Sequence, residues 1–177
     1  MQPDTHAARW AGDGPSGDPQ ALRKALGSFA TGVTVISTTT EEGDHGMTAN
    51  AFMSVSLDPP LISISLDRKC RMREKVRASG RYAVSILAHD MEPVALHFAG
   101  RHNPEFADLL ENRGGLPVVP GAAAVFHAKV EMEVEAGDHT VFIGRVTDLY
   151  RDTSTAPLLF FSGRFGALAS QVPEPTA

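Results

Sequence analysis

Apolar and polar positions change period several times along the chain. Leu22, Ala25, Leu26 and Phe29 recur at the spacing of one buried helical face. Asp18 then Pro19 supply an N-cap and a first helical residue, so the pattern predicts a helix that ends near Thr31-Gly32. Next the period falls to two: Gly32-Val-Thr-Val-Ile-Ser-Thr-Thr39 is β-branched almost throughout and reads as a strand, with Glu41-Glu-Gly-Asp44 a polar turn behind it. Further strands are predicted over 61–66, 82–87, 124–134, 140–150 and 158–161. Several alternate apolar with polar, as antiparallel strands with one buried face do. Short helices fit 71–79, 91–99 and 104–110. Strands outnumber helices and regular crossover helices are missing between them. The fold class is therefore mainly β, an antiparallel barrel-like sheet with peripheral helices on its rim.

The 177 residues suffice for one domain. We expect it over 18–168, with a disordered N-terminal tail at 1–17, where Trp10 is the one candidate anchor, and a C-terminal tail at 169–177. Gly12-Asp-Gly-Pro-Ser-Gly17 spells G-x-G-x-x-G, but no strand precedes it and Pro15 interrupts it, so it reads as chance.

Composition narrows the function classes. Apolar residues make up 42% and charged residues 21%, with a net charge of −5 and no basic face carrying aromatics, which argues against a nucleic-acid partner. No apolar run approaches the roughly 20 residues of a membrane span, and the start does not read as a signal peptide, so we expect no membrane association and a cytoplasmic location. Cys70 stands alone, which excludes an intrachain disulfide; it reads as a small, partly buried residue. The seven histidines are scattered without H-E-x-x-H, so no metal is expected. Neither a G-x-S-x-G elbow nor a P-loop is present. A chain without catalytic apparatus of its own points to a borrowed cofactor.

One stretch suits such a cofactor. In His45-Gly-Met-Thr-Ala-Asn-Ala-Phe-Met-Ser-Val-Ser-Leu-Asp-Pro-Pro-Leu61 the only formal charge is Asp58. Ala49 and Ala51 would let backbone groups approach a flat hydrogen-bonding ring such as an isoalloxazine, with Thr48, Asn50 and Ser54 adding side-chain donors. Phe52, Val55 and Leu57 would equally serve a plain buried strand, and spacing leaves the two readings level. From Asp67 to Arg77 six of eleven residues are basic at the start of a helix. Helix N-H groups with Arg68 and Arg71 could hold a phosphate, whereas Arg73, Lys75 and Arg77 read as a solvated face. Gly137-Asp-His-Thr140 is a tight turn whose His139 could meet a nicotinamide or pyrophosphate, or simply sit at the surface.

With these segments in view, the chain resembles the short-chain flavin reductase family, the reductase components of two-component flavin-dependent monooxygenases. The resemblance runs in order through Phe29-Ala-Thr-Gly-Val-Thr-Val35, His45 to Leu57, Pro59-Pro-Leu61, Gly114-Gly-Leu-Pro117, Gly137 to Thr140 with Phe142-Ile-Gly144, and Pro157-Leu-Leu-Phe160 with Ser162-Gly163. It implies an FMN-binding split β-barrel, a homodimer, FAD or FMN as flavin, and NAD(P)H as reductant; no clear Arg pair for a 2′-phosphate stands out, which favours NADH with NADPH left open. It also implies an NAD(P)H:flavin oxidoreductase that hands reduced flavin to a partner monooxygenase. By position it places Thr48, Ala49, Asn50, Ala51, Phe52, Met53, Ser54 and Val55 along the isoalloxazine and ribityl chain. Ser65, Leu66, Asp67, Arg71 and Met72 fall at the ribityl-phosphate end, and Phe98 approaches the flavin from the next helix. His45, His139, Ser162, Gly163, Arg164 and Phe165 face the nicotinamide nucleotide, with His139 the catalytic candidate. The alternative is a non-catalytic flavin-binding electron carrier or sensor on the same fold.

Overall fold

Asp18 caps the first helix, α1 (Pro19–Leu26), its carboxylate accepting from the Gln20 N–H at 2.8 Å. A computed structural model describes residues 18–169; the readings on Trp10, on Gly12–Gly17 and on all but the first residue of the C-terminal tail lie outside them. The helix stops at Gly27, earlier than its apolar spacing implies. Its stripe is not buried either: Leu22, Leu26 and Phe29 are 54%, 66% and 77% exposed. The reason is where α1 is tied. The Ser162 N–H donates to the Gly27 carbonyl at 2.9 Å, which docks the helix end on a hairpin turn and leaves its stripe facing outward.

The strand expected over 32–39 divides. Gly32 ends β1 (Thr31–Gly32), which pairs with β11 (Leu159–Phe161), while β2 (Thr34–Thr40) enters the main sheet. Alternation then decides the burial of β2: Val35 joins one apolar cluster and Ile36 another, so both faces are covered. The main sheet also takes β3 (Gly43–Ala49), β4 (Phe52–Leu57), β5 (Pro60–Asp67), β6 (Arg81–Ile86), β9 (Ala124–Ala136) and β10 (His139–Arg151). Its order is β3-β2-β6-β9-β10-β5-β4, antiparallel throughout.

The two edge strands, β3 and β4, are separated only by Asn50 and Ala51. Three Cα steps of about 3.8 Å cannot span a flat seven-stranded sheet, so the sheet must roll until its edges converge there. No ladder joins β3 to β4, and the barrel stays open along that seam. This is the expected mainly antiparallel β architecture, split rather than closed.

Ile36, Ile64, Leu66, Tyr82 and Phe142 fill the roll, and α2 (Arg71–Ser79) adds Met72 and Val76. Gly144 is required here: a methyl on it would lie 2.6 Å from the Tyr82 hydroxyl and 2.9 Å from Ala128 Cβ. A second cluster lies under α3 (Glu92–Phe98), and β7 (Glu111–Arg113) with β8 (Leu116–Val118) covers a third. The helix expected over 104–110 is a single 3-10 turn, Pro104–Phe106. Phe106, Leu109 and Leu110 pack on the second cluster from an irregular segment instead.

Arg73 does not face water, contrary to the solvated reading. It is 8% exposed, donates from Nε to Thr140 Oγ1 at 2.7 Å and pairs with Glu135 at 2.8 Å. Lys75 pairs with Glu42 at 2.7 Å, and Arg77 with Glu133. The basic run is thus matched by acids of β9 and of the β2–β3 turn. Among the described residues no helix is long and apolar enough to cross a membrane.

Candidate functional site

Strand alternation builds one wall of a cleft. Phe52, Ile64 and Phe142 turn inward, so Ala51, Met53, Ser63, Ser65 and Val141 share the outer face of β4, β5 and β10. The Ser65 N–H donates to the Ala51 carbonyl at 3.1 Å, which pins the seam onto β5. Arg23, Leu26, Gly27 and Phe29 at the end of α1 form the opposite wall, with Phe160 and Gly163 from β11 and its turn into β12 (Arg164–Gly166). The cleft measures about 800 Å³, within the roughly 300–1,000 Å³ of small-molecule sites.

Its chemistry fits a flavin. The lining is chiefly apolar with hydroxyls and an amide. Among the described residues, the N–H groups of Asn50 and Ala51 make no backbone hydrogen bond, which leaves two donors at the seam for a ring oxygen or nitrogen.

His139 extends the same face. It pairs in register with Asp67 as Val141 pairs with Ser65, two residues and about 7 Å further along the strand. The hairpin turn Gly137-Asp138 sets it there, Gly137 at a φ of +62°. His139 Nδ1 lies 2.7 Å from Asp138 Oδ1, and this bond holds the Asp138 carboxyl below its usual range. An ionised carboxylate only accepts, so Nδ1 carries the proton and Nε2 faces outward.

The sequence-derived candidates divide. Asn50, Ala51, Phe52, Met53, Ser65 and Gly163 line the cleft, and Asp67 and His139 continue its face. Leu66 and Met72 do not fit the ribityl-phosphate role through their side chains. Both are 0% exposed, Leu66 because it alternates inward and Met72 because it anchors α2 in the core. Thr48 donates its hydroxyl to the Ala95 carbonyl at 2.7 Å, and the Ala49 carbonyl accepts from Thr34 Oγ1, so both serve packing.

Ser54 and Val55 are exposed beside a bulge in β4, away from the cleft lining. Arg71 belongs to a separate 680 Å³ depression with Glu42 and Lys75. His45 and Phe98 line a third cleft of 570 Å³ between β3 and α3, with His97 and His102. There Phe98 lies so close to Gly46 that a methyl would sit 2.6 Å from its ring. Burial pushes the His45 imidazole below its ordinary value, with Lys75 and Arg71 adding to the shift. Ser162 anchors α1 at a φ of +48°, Arg164 is exposed, and Phe165 packs on Phe160 at 5.3 Å between ring centroids.

Sequence reasoning missed Arg23, Gly27, Phe29, Ser63, Val141 and Phe160 as lining residues. Ser63 and Val141 were reachable, since each lies two residues from a candidate on its own strand. Phe29 was not, because a residue on an apolar helical stripe reads as core, and nothing local to Arg23 or Gly27 marks a cleft wall.

Residues 26–169 match the family model of the flavin reductase like domain. The chain belongs to this family. It is 47% identical over 158 residues to an NADH-dependent flavin reductase of Rhodococcus sp, covering 87% of this chain and 89% of that one. The solved flavin reductase PheA2 in its native state is 49% identical, with a TM-score of 0.81 over 86% of this chain and 99% of its own. The Streptomyces globisporus NADH:FAD oxidoreductase SgcE6, solved in complex with NAD and FAD fragments, is 35% identical. Its TM-score is 0.80 over 90% of this chain and 99% of that one. These flavin reductases share the overall fold of this chain.

Proposed function

We propose that this chain is an NADH-dependent flavin reductase that reduces FAD or FMN and supplies reduced flavin to a partner monooxygenase. The observation that carries the reading is the juxtaposition on one sheet face of the low-charge seam at Asn50-Ala51 with the Asp138–His139 pair. When both nucleotides are bound they would supply the chemistry, hydride transfer from the dihydronicotinamide C4 to flavin N5. Asn50 and Ala51 would hold the flavin edge with their unpaired backbone N–H groups, donors placed to favour negative charge at that edge. Ser65 offers a hydroxyl to the ribityl chain, and Ala51 keeps the ring close to the strand. His139, its tautomer set by Asp138, orients the nicotinamide through Nε2.

The cleft is open to solvent, which suits exchange of free flavin. NADH oxidation followed with FAD, FMN and riboflavin in turn should rise with added free flavin and exceed the rate with NADPH. Oxidation that stays negligible at every flavin concentration sinks the reductase reading in favour of the carrier.

A second copy of the chain completes the picture. Met53 and Leu57 of β4 and Met132 and Val134 of β9 are 60%, 94%, 54% and 42% exposed, more apolar side chains than a monomer gains by showing to water. We expect a homodimer, with sedimentation at twice the 18.9 kDa chain mass; a monomer at micromolar concentration excludes it. NADH use and a lone thiol at Cys70 fit a cytoplasmic site of action.

A further inference from the structure

We infer that Arg23 is the phosphate anchor of the cleft, a role that rests on the flavin reductase reading above. Both nucleotides are anionic, yet the wall built from β4, β5 and β10 carries no cation. Arg23 is the only charged side chain among the residues that line the cleft. The cations expected to hold phosphate near the start of α2 do not line this cleft. Arg68 pairs with Glu135 at 3.4 Å and reaches the Gly137 carbonyl, and Arg71 lies in the depression beside Glu42. Arg73, Lys75 and Arg77 are held by Glu135, Glu42 and Glu133.

Arg23 differs from them in lining the cleft, and from all but Arg71 in being unpaired. Among the described residues its side chain makes no ion pair and no hydrogen bond, and the residue is exposed. Its root is nonetheless fixed. Its carbonyl accepts from the Gly27 N–H at 2.9 Å, and the Gly27 carbonyl accepts from the Ser162 N–H at 2.9 Å. The position in the last turn of α1 also suits a cation, because the helix carbonyl end is negative. A planar guanidinium held at the lip, opposite a neutral floor, can bind phosphate oxygens in a two-pronged contact while the rings lie on the floor.

The chemistry recognised is a phosphate, and the flavin or the nicotinamide nucleotide could supply it. The test compares each ligand with its phosphate-free counterpart, by fluorescence or equilibrium dialysis: FMN against riboflavin, and NAD against nicotinamide riboside. Losing one charge-assisted contact weakens binding roughly 10- to 100-fold. Arg23→Ala should therefore weaken FMN, NAD or both by that factor and leave the phosphate-free ligands unchanged, with Arg23→Lys recovering part. The arm that responds names the source of the phosphate. Equal losses for phosphorylated and phosphate-free ligands, or no loss in either arm, overturn the assignment. Wild-type protein that binds no flavin at all overturns the reductase reading itself. Unchanged thermal unfolding of Arg23→Ala shows that the helix is intact.

Discussion

In rapid mixing of NADH with flavin-loaded protein, His139→Ala lowers the apparent second-order rate about 100-fold, the size expected when a reacting ring is misplaced by about 1 Å. Flavin affinity stays within about twofold, because His139 lies beyond the seam, on the stretch of face given to the nicotinamide. The loss should appear in both kcat and KM for NADH, since an orienting contact acts on binding and on alignment. Asp138→Asn tests the linkage between the two side chains. An amide can donate to Nδ1 and so favour the opposite tautomer, turning Nε2 from acceptor to donor.

The pH dependence has a definite sign. The Asp138 carboxyl titrates below its ordinary 3.8 because it accepts from His139, so the arrangement is present above that value and is lost as pH falls below it. Between pH 6 and 9 the Asp138 charge contributes no inflection to the rate. An unchanged rate in His139→Ala would remove the residue from the mechanism.

Much of the fold is legible because period two and period 3.6 are local signals. Arg71–Ser79 is a helix at the expected bounds, and the strands of β5, β6, β9 and β10 begin or end within a few residues of their apolar runs. Three-residue strands such as β7, β8 and β12 carry too short a pattern to read. Partners are less legible than elements. Nothing near Arg73 in the chain announces that Thr140 and Glu135 will enclose it. Likewise the stripe of α1 has the spacing of a buried face, but its end is fixed by Ser162, 135 positions away from Gly27.

The site shows the same limit at finer scale. The resemblance sets Thr48 to Val55 along one flavin, yet alternation in β3 sends Thr48 toward α3 and Ala49 toward the core, and only past the Asn50-Ala51 connection do Ala51 and Met53 enter the cleft. A cofactor can lie along only part of that stretch.

Ala51→Trp distinguishes those parts and should have the other large effect, at least about 100-fold weaker flavin binding. Phe52 packs against the core, so Ala51 points the opposite way, over Ser65 and into the cleft. The residue is exposed, and its backbone role is a carbonyl that accepts from the Ser65 N–H, which an indole side chain leaves in place. Folding stability should therefore change little, within about 0.5 kcal/mol as for surface substitutions. The indole would occupy the floor on which an isoalloxazine must lie, and relieving that overlap means giving up the two N–H contacts of the seam. Fluorescence titration with FMN and FAD measures the loss, and denaturant unfolding confirms the fold. If Ala51→Trp binds flavin as the wild type does, the ring cannot lie on this floor, and the 570 Å³ cleft of His45 and Phe98 becomes the place to look. In that case a substitution at Gly46, which forces the Phe98 ring to move, is the one that should abolish binding.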